Sequence, residues 1–190
     1  IEDSGAVFRG IQAAAIAPQD ARYIAGHRYV MGVDWGRDHD FTVIAVIDSS
    51  TRAMVALERF NKIEYRFQRE RLKILADKWH PAIIWAEANS IGTPIIEQLR
   101  DDGVPVRPFM TTSKSKAPLI EGLSLAIERG ELSLLPDEVL LSELAAYQIE
   151  MTASGNYRYN APSGMHDDTV IATALAWQAC LNRGLRVDFA

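Results

Sequence analysis

Acidic residues lie inside or at the start of apolar segments at separate points of the sequence. Asp34 interrupts the stretch YVMGVDWG, and Glu87 ends the stretch AIIWAE. Asp167 and Asp168 open the apolar run DDTVIATALA. Burying a carboxylate without a partner costs several kcal/mol or forces it to take up a proton, so each position needs a physical reason.

A shared cation would supply that reason. Acids on two strands and at a helix start can converge at one edge of a sheet, where their charges repel and raise one another's pKa values. Divalent cations remove this conflict, and hard carboxylate oxygens suit Mg²⁺ or Mn²⁺. Two such ions a few Å apart activate a water and stabilise the leaving oxygen in phosphodiester hydrolysis.

Each acid also has an ordinary structural explanation. Asp34 could end a strand and cap the turn at Gly36, and Glu87 could be a surface acid where its strand emerges. Asp167 and Asp168 could be the N-cap and first-turn residues of a helix, where acids stabilise by roughly 0.3–2 kcal/mol. Acids on several apolar elements at once favour the shared site over these separate explanations.

The composition bounds the class of protein. With 190 residues, 48% hydrophobic and 24% charged, the chain has the size and composition of one soluble globular domain. No apolar run approaches the roughly 18 residues that a membrane-spanning helix needs. The net charge of -5 argues against strong autonomous nucleic-acid binding but allows contact through a local basic patch. The single cysteine, Cys180, is interpreted as core packing in a reducing environment.

The order of periodic segments predicts an α/β fold. Residues 1–28 show no lasting period and are interpreted as a linker or arm. Three strands with short connections are expected to pair antiparallel, and alternating helices and strands then extend a mixed sheet with helices on both faces. The predicted strands are at 29–36, 41–50, 52–60, 82–89 and 104–110, with an extra β-hairpin at 147–161. The predicted helices are at 64–79, 93–103, 115–130, 141–148 and 166–184, and Ser115 is expected to cap the third.

Three motifs in this order resemble those of a known family. GVDWG, then IIWAEAN, then HDDTVIATALA are similar to the nuclease domain of tailed-phage terminase large subunits, on the resolvase-like branch of the RNase H-like superfamily. The resemblance spans roughly Tyr29 to Leu181, and VFRGI resembles the segment that joins motor and nuclease in that family. It implies an arm at 1–28 from a missing N-terminal ATPase domain and an RNase H-like nuclease domain at 29–190.

The same resemblance implies an endodeoxyribonuclease that cuts double-stranded viral DNA with little sequence specificity during genome packaging. The implied ligands of two Mg²⁺ or Mn²⁺ ions are Asp34, Glu87, Asp167 and Asp168. The implied partners are double-stranded DNA, the ATPase domain of the same polypeptide, the small terminase subunit and the portal, without a membrane, in the cytoplasm of the infected bacterial host. No GxxxxGK[ST] phosphate loop occurs in the sequence, so no ATP hydrolysis is expected of this chain.

A helical wheel distinguishes the two neighbouring aspartates of the last motif. The line headed by Asp167 turns polar at Gln178, whereas the line headed by Asp168 stays apolar through Ala179. The wheel and the usual ligand of similar enzymes both favour Asp168 slightly as the more direct ligand. Both residues stay candidates.

Other polar residues are secondary candidates. Asp40 is either an outer acid of the metal site or a turn residue, and His166 either orients a water or is a solvated helix-start residue. Lys114 and Lys116 precede a helix whose N-terminus favours phosphate, and Arg158 lies between two tyrosines of the hairpin. These three basic residues are candidate DNA contacts, with a plain solvated surface as the alternative.

The sequence leaves three other functions open. A nuclease of the same fold that resembles Holliday-junction resolvases or transposases would act on other DNA structures. An actin-like or sugar-kinase-like ATPase would use GVDWG as a phosphate loop, but that fold needs a second lobe and a longer chain. A catalytically silent docking module would bind no divalent ion, and the intact acids argue against it.

Overall fold

The computed structural model describes residues 5–36, 40–89 and 91–182, which form a mixed sheet, a separate hairpin and flanking helices. The strands are β1 (Tyr29–Asp34), β2 (Thr42–Asp48), β3 (Ala53–Phe60), β4 (Ile83–Glu87), β5 (Val106–Phe109), β6 (Gln148–Met151) and β7 (Tyr157–Asn160). The helices are α1 (Ile11–Ala14), α2 (Tyr65–Trp79), α3 (Gly92–Asp101), α4 (Ser113–Glu128), α5 (Glu138–Ala146) and α6 (Asp168–Leu181). The last residues of the helix predicted at 166–184 lie outside the described ranges.

The larger sheet has the predicted mixed topology. Its strand order is β3-β2-β1-β4-β5. β2 pairs antiparallel with both β1 and β3, whereas β4 pairs parallel with both β1 and β5. The parallel pairs need crossover connections, which α2 and α3 provide. β6 and β7 form the predicted hairpin as a second, two-stranded sheet.

Helices cover both faces of the larger sheet, as predicted. Alternate side chains of β1 divide between two cores: Val30 packs with α4, α5 and α6, and Met31 packs with α2 and α3. Because Asp34 follows Val30 by four residues, it faces the same side as α6. None of the helices in the described part of the chain is long and apolar enough to cross a bilayer.

The central helix α6 is buried along nearly its whole length, which agrees with its largely apolar sequence. It approaches β1 closely because Gly32 has no side chain. A Cβ atom at Gly32 would lie 2.0 Å from the carbonyl oxygen of Ala172 and 2.3 Å from the amide nitrogen of Ala176. Gly32 therefore sets how near α6, with the acids at its start, comes to the end of β1.

The segment predicted as an arm packs against the domain where the structure describes it. Phe8 and Ala14 are buried in the core beneath α4 and α5. The Ser124 hydroxyl donates to the carbonyl oxygen of Val7 at 2.8 Å. This part of the arm therefore completes the core, while its origin from a preceding ATPase domain stays a prediction.

The start of α4 differs from the prediction that Ser115 caps it. Thr112 is the N-cap: its Oγ1 accepts from the Ser115 amide at 3.1 Å, and Ser115 Oγ accepts from the Thr112 amide at 2.8 Å. This reciprocal capping box satisfies two amide donors. It starts the helix at Ser113 and includes Lys114 and Lys116 in the first turns.

Gly32→Ala is expected to destabilise the domain by about 3 kcal/mol or more, because the new methyl group overlaps backbone atoms of α6 that cannot move alone. Gly122→Ala is the matched control, since a Cβ there meets nothing within 4 Å. In the middle of α4 it should stabilise by about 0.5–1 kcal/mol. Urea unfolding of both variants measures the difference, and equal effects would contradict the tight α6–β1 contact.

Candidate metal centre

Asp34 and Glu87 lie side by side at the carboxyl ends of two parallel strands. Val33 of β1 is level with Ala86 of β4, so the next residue of each strand brings the two carboxylates together. Asp34 is only 8% exposed. Burial, and then the negative charge of the neighbouring Glu87, raises the pKa of Asp34 well above its usual range.

Thr42, rather than Asp34, accepts a hydrogen bond from the backbone of Gly36, just after β1. The Gly36 amide donates to Thr42 Oγ1 at 2.8 Å, and that hydroxyl donates to Gln68 Oε1 at 2.7 Å. Only glycine fits at this position, because a Cβ at Gly36 would lie 2.5 Å from the carbonyl oxygen of Asp40. The ordinary structural explanation for Asp34 is a cap of a turn at Gly36. Because Thr42 binds the Gly36 amide, that role does not explain Asp34.

The start of α6 brings Asp167 and Asp168 to the same edge of the sheet. Their negative charges also raise the pKa of Asp34, after burial and Glu87. The structure therefore brings the predicted acids, from two strands and one helix, near enough for their charges to affect Asp34. Their role as metal ligands stays a prediction.

Asp168 is the more buried of the two aspartates, as the helical wheel indicated: its side chain is 15% exposed, against 28% for Asp167. Its Oδ2 atom is enclosed and has no hydrogen-bond partner among the residues that the structure describes. The Nδ1 atom of His166 lies 3.5 Å from this oxygen. Burial, and then the charges of Glu143 and Asp167, raises the pKa of Asp168 to about 6.

Lys116 balances the charge of Asp167. Its ammonium lies 3.2 Å from Asp167 Oδ2 and over the ring of Tyr147. The Tyr147 side chain is fully buried, and burial together with the charge of Asp167 raises the pKa of its hydroxyl. Asp167 occupies the N-cap position of α6, yet within the described residues its side chain makes no capping hydrogen bond.

Glu143 is a residue of this site that the sequence reasoning missed. It is 6% exposed, and its Oε2 accepts a hydrogen bond from the Thr169 amide at 2.9 Å. The sequence does contain a signal: Glu143 falls on the buried stripe of α5, three residues after Leu140 and one before Leu144. An acid on an apolar stripe is the same kind of signal that identified Asp34.

Asp40 and His166 both lie near Asp168. The charges of both affect the pKa of Asp168, which His166 lowers and Asp40 raises. The ring of His166 also packs edge-on against the ring of Phe41, at 5.6 Å between centroids. Both residues are close enough for an outer role at the site, which stays a prediction.

The acids are not arranged around an ion in this conformation. Over residues 5–36, 40–89 and 91–182, no three His, Cys, Asp or Glu side chains are grouped so that they could hold a metal. Among the described residues, the ammonium of Lys116 offsets part of this negative charge at Asp167. All candidate ligands are carboxylates, the donor type that Mg²⁺ and Mn²⁺ prefer.

The three candidate DNA contacts line one groove of about 730 Å³, between the start of α4 and the β6–β7 hairpin. Lys114 and Arg158 are exposed along it. Lys116 lies deeper and reaches Asp167, so the groove leads toward the acids. The structure therefore joins the basic residues to the acidic edge, and binding of DNA there stays a prediction.

The family is decided by comparison with known proteins. The family model described as Terminase RNaseH-like domain matches residues 31–179. The chain belongs to this terminase family. The large terminase subunit of Thermus virus P23-45 is 33% identical over 186 residues, which cover 93% of this chain and 38% of that relative. The terminase domain described here thus spans about 38% of the length of the curated relatives it matches.

Solved terminase nucleases share the fold of this terminase domain. The large terminase nuclease of thermophilic phage G20c with bound magnesium has a TM-score of 0.85 at 32% identity, covering 93% of this chain and 98% of that one. The nuclease domain of Thermus phage P74-26 has a TM-score of 0.81 at 32% identity, covering 90% and 94%. The resemblance inferred from three motifs and the predicted RNase H-like fold are both confirmed.

Asp168→Asn is expected to stabilise the metal-free domain at pH 8 by on the order of 2–3 kcal/mol. The folded state holds this proton more tightly than the unfolded chain, because the pKa of Asp168 is raised from 3.8 to about 6. The cost is therefore absent below about pH 3.8, grows as the pH rises from there to about 6, and is fully present above about 6. Urea unfolding in EDTA from pH 4 to pH 8 measures it. A loss of stability at pH 8 would instead favour the first-turn explanation of this residue.

Proposed function

We propose that this terminase domain is a divalent-metal-dependent endonuclease that cuts double-stranded viral DNA with little sequence specificity during genome packaging. In this proposal Asp34, Glu87, Asp167 and Asp168 hold two Mg²⁺ or Mn²⁺ ions. The observation that carries it is the convergence of these acids, from separate elements, on one sheet edge where Asp34 is buried among the others.

The donor set supports a hard divalent cation. The candidate ligands are all carboxylates, and Asp168 Oδ2 is enclosed without a hydrogen-bond partner in the described part of the chain. Such an oxygen gains an electrostatic partner when a cation binds. The large terminase nuclease of phage G20c has been solved with magnesium, with cobalt and with zinc, which supports divalent-metal binding by this chain as well.

Bound ions would supply an activated water and a counter-charge for the departing 3′ oxygen. The residues of the chain hold and orient the reacting groups. Asp34 and Glu87 extend from neighbouring strands, and Asp168 extends from a helix packed on the same sheet, so their positions are rigid. Lys116 connects the site to the groove, where its ammonium would bind a phosphate beside the cut.

The groove suits recognition of the DNA backbone. Lys114, Lys116 and Arg158 carry the positive charge along it. Contacts from such residues to phosphates position DNA without reading its sequence. This supports cutting with little base preference, and it gives a chain of net charge -5 a local surface for DNA.

The wider assembly is also part of the proposal. The chain covers 38% of the matched large subunit of Thermus virus P23-45, so we infer that it acts within a longer polypeptide. In that polypeptide an N-terminal ATPase domain would precede the arm at 1–28 and the nuclease domain at 29–190. The small terminase subunit and the portal would be its partners, in the cytoplasm of the infected bacterial host.

Asp34→Asn is expected to reduce Mn²⁺- or Mg²⁺-dependent plasmid cleavage by more than the roughly 100-fold that changes around a metal site cost. The reason is that it removes a carboxylate that both proposed metal ions would share. Asp77→Asn is the matched control, because it neutralises an exposed acid on α2. Full activity in Asp34→Asn would rule out the proposed site.

Linear duplex and four-way junctions distinguish this proposal from a resolvase-like activity. A packaging nuclease should cut linear duplex DNA at least as fast as a junction of the same arm sequences. Strong preference for the junction would favour the resolvase-like alternative.

Lys114→Ala and Arg158→Ala are each expected to weaken binding of duplex DNA equally for unrelated sequences. Each should also reduce the slope of log K against log salt by about 1, because one phosphate contact is lost. Fluorescence anisotropy in EDTA measures binding without cleavage. Lys78→Ala is the control, since Lys78 lies on α2, which packs on the opposite face of the sheet from α4. If both groove variants kept the slope of log K against log salt unchanged, DNA would not bind at this groove.

A further inference from the structure

The helix that carries two of the candidate ligands begins without its usual cap. Asp167 occupies the N-cap position of α6, where an aspartate normally accepts a hydrogen bond from an amide of the first turn. Here its Oδ2 lies 3.2 Å from the ammonium of Lys116. The first-turn amides of a buried helix still need acceptors, so another residue must supply one.

Glu143 of α5 supplies that acceptor. Its Oε2 accepts from the Thr169 amide at 2.9 Å, and the Thr169 hydroxyl also donates to it. Both residues are buried, at 6% and 0% exposure. A hydrogen bond from a backbone amide to a buried carboxylate is stronger than one between neutral groups. This contact therefore fixes the start of α6 relative to α5.

We propose that Glu143 is a positioning residue that caps α6 from the neighbouring helix and thereby keeps Asp167 and Asp168 directed toward the metal site. Without Glu143, the nearest way to satisfy the first-turn amides is the carboxylate of Asp167, in the ordinary N-cap geometry. Asp167 would then turn back onto its own helix, away from Lys116 and the other acids. The inference rests on the metal binding proposed above.

Two substitutions separate the role of the hydrogen bond from the role of the charge. Glu143→Gln removes the charge but keeps a carbonyl oxygen that can accept from Thr169. Glu143→Ala removes both. If Glu143 acted through its charge, the two variants would lose metal affinity together, whereas a positioning role predicts that only the alanine variant does. Glu138→Ala is the matched control for charge, because Glu138 is exposed at the start of the same helix.

The experiment is calorimetric titration of Mn²⁺ into this chain without DNA. Glu143→Ala is expected to weaken Mn²⁺ binding by on the order of 10- to 100-fold, as changes around metal ligands do. Glu143→Gln and Glu138→Ala should stay close to the parent. Hydrogen exchange of the Thr169 amide in the metal-free protein should speed up in Glu143→Ala and remain slow in Glu143→Gln, because only the first loses the acceptor.

Each outcome decides between the roles. A lower melting temperature in Glu143→Ala with unchanged Mn²⁺ affinity would make Glu143 merely structural, and equal losses in the Ala and Gln variants would assign it a charge effect. If the parent chain binds no Mn²⁺ at all, the proposed function fails and the positioning role with it. If Glu143→Ala does not fold, Glu143→Met removes the acceptor at similar volume and takes its place.

Discussion

Repulsion among carboxylates held in one place is the interaction on which the rest of this domain depends. Asp34 is buried beside Glu87 at the sheet edge, and the charges of Asp167 and Asp168 reach it from α6. Packing of an apolar core alone does not explain buried, neighbouring carboxylates, because burying an unpaired charge is unfavourable. The ammonium of Lys116 lies beside Asp167 and offsets part of this repulsion, and burial raises the pKa of Asp34 well above its usual range. An arrangement that lowers stability in this way is typical of functional sites.

The position of α6 determines how strongly the acids interact. Gly32 lets the helix approach β1 within a distance that a side chain would forbid. Glu143 accepts a hydrogen bond from the Thr169 amide and so connects the start of α6 to α5. Because the helix is buried along nearly its whole length, it cannot adjust independently of the sheet. The two contacts connect packing in the core to the geometry of the acids.

The periodicity of the sequence predicted most of the fold. Alternation and turn residues located the strands of the mixed sheet and the hairpin, and the short connections followed by alternating helices and strands indicated its mixed topology. The packed arm and the Thr112 cap of α4 were not predicted. Both depend on contacts of side chains in irregular segments, where no period marks which residues are buried. Glu143 was not predicted for a related reason: its partner, the Thr169 amide, belongs to a helix 26 residues away in the sequence.

The sequence by itself indicated that Asp34 and the acids at the head of the last helix need a physical reason, because a charge within an apolar strand or at the head of an apolar helix is visible from spacing alone. The order of three motifs also indicated the terminase family, which the comparisons then confirmed. Only the tertiary structure decided which charges compensate one another. Lys116 pairs with Asp167, 51 positions away in the sequence. Glu143, rather than Asp167, accepts a hydrogen bond from the Thr169 amide, 26 positions away. Such distances are set by how helices pack across the sheet, which local periodicity does not encode.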